Sequence, residues 1–305
     1  MHDLAAFSNR LRKVARLRKK WARRVETDAY RVYDADIPEM RYAVDVYGDH
    51  AVVYDRRGNQ APDDGAFDEQ LVQAVAAALE LDVAKLHFKR RRRQPGDASG
   101  DKPAGRGEML RIKEGPATFL VNLEDHLDTG LFLDQRPLRA EFRTLPAGTR
   151  LLNLFCYTGS ISVAAAQAGA ITTNVDMSST NIDWARENFL ANGLDPATHR
   201  FLREDTIKFL ARGPERGQTY DLVFLDPPTY ASGALEIQRD HPMLIEQALK
   251  FVSDAGRLVF STGHQRFVLD ADFARGVAIT DITARTIPED FRNKQAHRCF
   301  EVLPS

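Results

Sequence analysis

The sequence predicts an α/β fold. Residues 126–305 read as a doubly wound, mostly parallel sheet of seven strands, residues 28–125 as a smaller α+β domain, and residues 1–27 as a basic amphipathic helix in front of it. Three observations carry that reading. From residue 150 onward strand-like runs alternate with helical patterns, which argues for a parallel sheet covered on both faces. The run Leu151 to Phe155 ends in Cys156-Tyr157-Thr158-Gly159-Ser160 and a small-residue helix follows at once, as at the start of a nucleotide-type strand, loop and helix. Between Tyr30 and Tyr54 the apolar period falls to two, bounded by Gly, Pro or Asp, as in short antiparallel strands.

A chain of 305 residues, 43% hydrophobic and 28% charged, is ordinary for a globular protein with one large or two modest domains. Cys156 and Cys299 lie far apart with no CxxC, so neither a disulfide framework nor a zinc knuckle is indicated, no metal site is expected, and a reducing compartment is. No apolar run approaches the ~20 residues of a membrane span, and the basic amino terminus lacks the apolar region of a signal peptide; a cytoplasmic protein without membrane contact is expected. The formal charge of -1 hides a segregation: residues 1–24 hold nine Lys or Arg against Asp3 alone, and residues 89–93 read KRRRR. Such segregation suggests a face for a polyanion.

In chain order, Leu4, Phe7, Leu11, Val14, Leu17 and Trp21 recur at helical spacing over residues 3–26, and the opposite face is basic, including Arg16, Lys19 and Lys20. Most charge runs are solvated helix faces; the single sign and the missing opposite-sign i,i+4 partners favour RNA contact here. Short strands around 30–32, 42–46 and 52–54 are followed by a helix from Phe67 to Leu81 and a basic strand from Leu86 to Arg93, whose Lys89, Arg90, Arg91, Arg92 and Arg93 join the RNA-contact set. Residues 94–107 form a Gly/Pro/Ser/charge loop that either orders on a phosphate backbone or is a plain hairpin tip. Strands resume at 110–112 and 117–123, and the bridge 126–139 places Asp134, Gln135 and Arg136 as a polar cluster immediately upstream of the nucleotide-like loop; a surface salt bridge is the ordinary alternative.

The sheet's expected strands are 150–155, 171–176, 200–204, 220–225 and 256–261, with 277–287 and 298–303 as an antiparallel edge; the expected helices are 160–169, 179–192, 206–212, 236–252 and 266–275. Ligands of open α/β sheets lie across the carboxyl ends of the strands, so the residues ending each strand are the candidates. Only Gly159 is present where dinucleotide enzymes carry GxGxxG, and no basic residue follows to grip phosphate, which suits adenosine without phosphates. Asp176, some twenty residues later, is placed to accept ribose hydroxyls. Asp205 opens a helix at Thr206, as an N-cap or as an acceptor for an adenine amino group. Asp226-Pro227-Pro228 makes a rigid polar corner where a second substrate sits, because proline fixes φ and donates nothing. His264 in STGHQ is the only histidine at a strand end, and a lone histidine there is either structural or an RNA contact.

LNLFCYTGS, VDMSSTNIDWARENFLANG, REDTIKFL and FLDPPTY together resemble the class I S-adenosylmethionine-dependent methyltransferases. FSNRLRKVARLRKKWARR, YRVYDADIPEM, TGLFLDQRPLR, IQRDH at 237–241 and FRNKQAHRCFEV at 291–302 are similar to the carboxy-terminal half of the bifunctional 23S ribosomal RNA guanine methyltransferases, over nearly the whole chain. The resemblance implies a seven-stranded, Rossmann-like class I sheet, S-adenosyl-L-methionine as cofactor, 23S rRNA or a large-subunit precursor as partner, and 7-methylguanosine as product. It further implies that Asp134 and Arg136 meet the cofactor's methionine end, that Phe155, Tyr157 and Gly159 line its pocket with Thr158 beside them, and that Asp176 with Met177 and Asp205 with Thr206 hold the nucleoside. Asp226, Pro227 and Pro228 would then face the target base, and Tyr230 beside them could stack on it, worth about 1–3 kcal/mol. Unlike that family, this sequence begins at the basic helix, without the amino-terminal RNA-binding and second methyltransferase portions; an amino-terminal methyltransferase partner, encoded upstream or separately, is an open expectation.

Guanine N7 carries a lone pair and no proton, so methyl transfer to it needs alignment and no general base. Cytosine-C5 methylation needs a cysteine nucleophile, and neither Cys156 nor Cys299 follows DPP or falls at STGHQ. Exocyclic-amine methylation is the other chemical alternative, disfavoured by Thr229 standing between the prolines and Tyr230, and a non-catalytic RNA-binding or ribosome-assembly module is the alternative of a different class.

Overall fold

The computed structural model describes residues 3–58, 64–90, 107–228, 230–231, 235–264, 266–270 and 277–304. The chain divides into two compact units, one from Met1–Asp97, Lys102–Leu133 and Glu289–Asn293, the other chiefly from Asp134–Pro288 and Lys294–Ser305. No helix among the described residues is long and apolar enough to cross a membrane.

The first unit opens with α1 (Leu4–Arg24), capped by the Asp3 side chain, which accepts from the Ala6 N–H at 2.8 Å. Strands β1 (Ala29–Asp34), β2 (Tyr42–Tyr47) and β3 (His50–Asp55) form an antiparallel meander, and α2 (Gly65–Leu79) crosses over to β4 (Leu86–Arg90), parallel to β3. Phe7 and Leu11 of α1 and Leu71 and Val75 of α2 are fully buried against Val32, Tyr42, Val44 and Val53 of this sheet. Strands β5 (Leu110–Glu114) and β6 (Ala117–Val121) pair as a separate hairpin.

Within this unit Arg31 is a charged hub. Its guanidinium donates to both Asp45 oxygens at 2.7 and 2.9 Å and to Asp34 at 3.2 Å, and the Phe291 ring lies 4.0 Å from it. The Asp34 carboxylate also accepts from Arg56 at 2.7 Å and from the Asn293 N–H at 2.8 Å. Burial alone would raise the Asp34 pKa, but Arg31, the Asn293 N–H and Arg56 outweigh it and hold the carboxyl below its ordinary value. The segments YRVYDADIPEM and FRNK therefore meet through charge.

The second unit contains α3 (Arg136–Phe142), then β7 (Arg150–Leu154), α4 (Ser160–Gln167), β8 (Ile171–Asp176), α5 (Ser179–Ala191), β9 (Arg200–Arg203), α6 (Thr206–Arg212) and β10 (Tyr220–Leu225). The short bridge β11 (Tyr230–Ala231) with β12 (Leu235–Glu236), α7 (Ile237–Leu249), β13 (Val252–Thr262), β14 (Val277–Asp281), α8 (Thr283–Thr286) and β15 (Arg298–Pro304) follow. The seven-stranded sheet runs β14-β15-β13-β10-β7-β8-β9, parallel from β13 to β9, with β15 and β14 antiparallel at one edge. Leu151, Leu152 and Leu154 of β7 are fully buried because both sheet faces are covered, one by Phe142, Ile161 and Ala164, the other by Phe209, Leu244 and Ile245.

Two expected elements are corrected. The helix at 266–275 is absent from its described part, 266–270, which is irregular backbone held by side chains of α7. The run 277–287 is not one strand: the Asp281 carboxylate accepts from the Thr283 N–H at 2.9 Å, a local bond that stops β14 and starts α8. Strand β13 also begins earlier than 256, through an irregular register beside β10; a Cβ at Gly256 would lie 2.8 Å from the Tyr220 carbonyl oxygen.

Candidate active site

Strand β7 has β8 on one side and β10 on the other, so the chain direction across the sheet reverses between β7 and β10, and a crevice opens at their carboxyl ends. Leu154 is paired with Leu225, which sends Phe155 and Asp226 out of the sheet side by side. The loop after β7 is tightly wound: Phe155, Tyr157 and Gly159 have φ of 56, 50 and 70°. Two non-glycine residues held there represent stored backbone strain of order 1–3 kcal/mol each, which the surroundings must impose. Asp176 imposes it, accepting from the Tyr157 N–H at 3.0 Å, the Ser178 N–H at 2.9 Å and the Asn181 amide at 3.1 Å. Asn188 donates to the Thr158 carbonyl at 2.8 Å, and Thr158 itself is buried. An added Cβ at Gly159 would come within 2.9 Å of the Ala185 Cβ, so loop and α5 are fitted to each other.

At the end of β9, Asp205 caps α6 through Oδ1, which accepts from the Ile207 and Lys208 N–H groups at 2.9 and 3.4 Å. Its Oδ2 has no hydrogen bond among the described residues. Thr206 is buried and its hydroxyl has no partner among them either. Met177, next to Asp176, is 69% exposed.

The opposite wall is polar. Gln135 donates to Asp226 Oδ2 at 2.6 Å, and Asp134 Oδ2 is 2.9 Å from His297 Nδ1. Burial raises the Asp226 pKa; Gln135 and the Ser261 hydroxyl lower it, the Asp134 charge raises it again, and His297 lowers it, with the net shift upward. Arg136 is buried at the start of α3, Pro227 is buried and Pro228 exposed. The backbone of Tyr230 pairs with Glu236; its side chain is not among the described groups.

Cys156 is buried in the loop, and burial and the Asp176 charge push its thiol well above the ordinary range. Cys299, fully buried in β15, is pushed up by burial and by the Asp226 and Glu141 charges. The IQRDH segment serves the fold: Gln238 bonds both the carbonyl and the N–H of Val268 at 2.8 and 3.0 Å, and His241 Nε2 accepts from the Asp270 N–H at 2.9 Å. These bonds fix the chain just beyond β13. His264, partly buried at that strand's end, has a ring Nδ1 without a partner among the described residues.

Sequence reasoning passed over Gln135 as a site residue and His297 altogether. Adjacency to Asp134 is the signal for the first; for His297, 163 residues from Asp134, no local signal exists.

The expected RNA contacts separate into two groups. Arg16, Lys19 and Lys20 are exposed on α1 and make no ion pair among the described residues, whereas Arg10 and Arg18 on the same helix pair with Asp36 and Glu289. Lys89 and Arg90 are corrected. Lys89 is buried and donates to the His126 carbonyl, with burial lowering its pKa to about 8, and Arg90 is committed to Asp55 and Asp68 at 2.7 and 2.6 Å. Buried or paired cations are not available to phosphate. Arg91, Arg92 and Arg93, and the loop at 94–107 except Gly107, lie outside the described residues.

The donor set fits an adenosyl sulfonium amino acid: carboxylates at three positions, an orphaned Thr206 hydroxyl, an exposed Met177, and no cluster of basic residues in the loop for phosphate. Comparison with known proteins agrees. Residues 63–290 match the family described as S-adenosylmethionine-dependent methyltransferase. The ribosomal RNA large subunit methyltransferase K of Neisseria meningitidis serogroup B is 41% identical over 311 residues, covering 99% of this chain and 88% of that protein. The methyltransferase K/L of Chromohalobacter salexigens is 43% identical over 304 residues, 96% of this chain but 41% of its own length. The chain thus spans less than half of the K/L relatives and most of the K relative. A methyltransferase solved in complex with SAH is similar in structure, with a TM-score of 0.77, 25% identity, and coverage of 99% of this chain and 82% of that one.

Proposed function

The chain belongs to the S-adenosylmethionine-dependent methyltransferases, and from that premise we propose that it methylates N7 of a guanine in 23S rRNA. The names of its K and K/L relatives support a large-subunit RNA substrate. The observation that carries the N7 assignment is the corner at the end of β10: two carboxylates, Asp134 and Asp226, held by His297 and Gln135, with both cysteines of the chain buried and their thiols pushed upward.

Bound at the loop after β7, S-adenosylmethionine supplies a methyl group made electrophilic by its sulfonium. In this reading Asp176 and Asp205 hold the nucleoside, with the exposed Met177 against the adenine, and Asp134 meets the methionine ammonium. Guanine N7 loses no proton on methylation, and positive charge moves from sulfur to the base. The work left to the protein is alignment and electrostatic support. Asp226 supplies negative charge on the side where the base becomes cationic, Gln135 fixes its rotamer, and Pro227-Pro228 keeps the corner rigid. Cytosine-C5 transfer would need a thiolate, which buried cysteines with raised pKa do not supply.

Labelled S-adenosylmethionine and unmodified 23S RNA, followed by nucleoside analysis, test this reading. Label is expected in 7-methylguanosine; label in 5-methylcytidine or in an N2-methylguanosine contradicts it. The exposed cations of α1 are proposed to contact the RNA backbone. Reversing Lys19 and Lys20 to glutamate is expected to reduce the slope of log affinity against log salt by about two. An unchanged slope would leave α1 a solvated face.

A further inference from the structure

His297 makes two aligned contacts in the second unit: Nδ1 lies 2.9 Å from Asp134 Oδ2, and Nε2 lies 2.8 Å from the Thr286 hydroxyl. That hydroxyl also lies 3.0 Å from the Thr283 carbonyl, which sets the ring beside the backbone of α8. The order carboxylate, imidazole, hydroxyl has the form of a nucleophilic relay, but His297 and Thr286 are each 1% exposed, so no substrate atom can reach the hydroxyl. What remains is a strut. An ionised carboxylate only accepts, so the ring nitrogen facing it carries the proton and the Asp134 rotamer is fixed from behind. The Asp134 side chain, at 19% exposed, still reaches the site.

We propose that His297 is a positioning residue, which holds the Asp134 carboxylate in the orientation that receives the cofactor's methionine ammonium. The inference rests on the assignment of Asp134 to that end of the cofactor. It differs from a merely structural role of the histidine because it depends on which ring nitrogen is replaced. An asparagine amide at 297 presents its N–H from the position of Nδ1, facing Asp134; a glutamine amide presents it from the position of Nε2, facing Thr286.

The test uses the full chain with H297N, H297Q and H297L, and measures S-adenosylhomocysteine binding by calorimetry, KM for S-adenosylmethionine and for RNA, and the melting temperature of the unliganded protein. H297N is expected to keep cofactor affinity within about threefold, whereas H297Q and H297L weaken it about tenfold or more, the size of a lost bond to a charged group. KM for RNA should stay within about twofold in all three, because the effect lies on the cofactor side. If H297L does not fold, the Asn and Gln pair still decides. Equal melting losses with unchanged cofactor affinity in Asn and Gln variants would overturn the proposal. D134N separates the two levels: if it leaves affinity unchanged, the assignment of Asp134 fails and the strut fails with it. If D134N weakens binding while the His297 series does not, only the strut fails.

Discussion

Replacing Asp226 with asparagine is expected to lower kcat for methyl transfer about a hundred- to a thousandfold, the usual cost of removing a preorganised electrostatic partner from a transition state. The amide has the shape of the carboxylate and its carbonyl can still accept from Gln135, so the corner should persist. In the proposed reaction, only the charge that faces the newly cationic base is lost. KM for S-adenosylmethionine should accordingly remain within about threefold, the signature of an interaction made mainly in the transition state. Undiminished transfer would remove Asp226 from the chemistry. The pH profile adds a second readout. Burial raises the Asp226 pKa above its ordinary value of about 4, so the active, ionised form should be lost on acidification earlier than for a typical aspartate. The acid limb of kcat should lie correspondingly high, and D226N should abolish it.

Replacing Arg31 with alanine is expected to destabilise the first unit by about 3–5 kcal/mol, because it strands buried carboxylates that the guanidinium now neutralises. The side chains of Arg31, Asp34 and Asp45 are 9%, 3% and 4% exposed. In a W184F background, which removes the tryptophan of the second unit, fluorescence of Trp21, buried in the first, gives a local readout of its unfolding. A loss under about 1 kcal/mol, the range of surface pairs, would contradict the assignment. Adding Asp45→Asn to Arg31→Ala should recover part of the loss by removing one stranded charge. The pH dependence has a definite sign. Asp34 titrates below its unfolded value, so its stabilisation is present above pH of about 4 and is lost as pH falls through the lower folded value. Without Arg31 much of that stabilisation is absent from the start, so the difference between the two proteins should shrink on acidification.

The parts of the site formed by contiguous residues were legible in the sequence. LLNLFCYTGS announced a buried strand, a glycine turn and a helix start, and strand ends at Asp176, Asp205 and Asp226 followed from the βα alternation. What escaped depends on partners distant in sequence. KRRRR read as a polyanion face because composition reports charge and not its partners. Lys89 is committed to the His126 carbonyl and Arg90 to Asp55 and Asp68, 35 and 22 residues away. Residues 266–270 read as the start of a helix over 266–275; the bonds from Gln238 and His241 that hold them as irregular backbone arise on α7. His297 and Asp134 are joined by the tertiary fold alone.

In the proposed reaction the methyl group goes to one ring nitrogen, and replacing that atom tests it. Two transcripts of the 23S substrate region, one with guanosine and one with 7-deazaguanosine throughout, differ at N7, where a lone pair becomes C–H, while the Watson–Crick edge is unchanged. With labelled S-adenosylmethionine, label is expected in the guanosine transcript and none in the 7-deazaguanosine transcript, both being bound with similar affinity. Equal labelling of the two transcripts would contradict it.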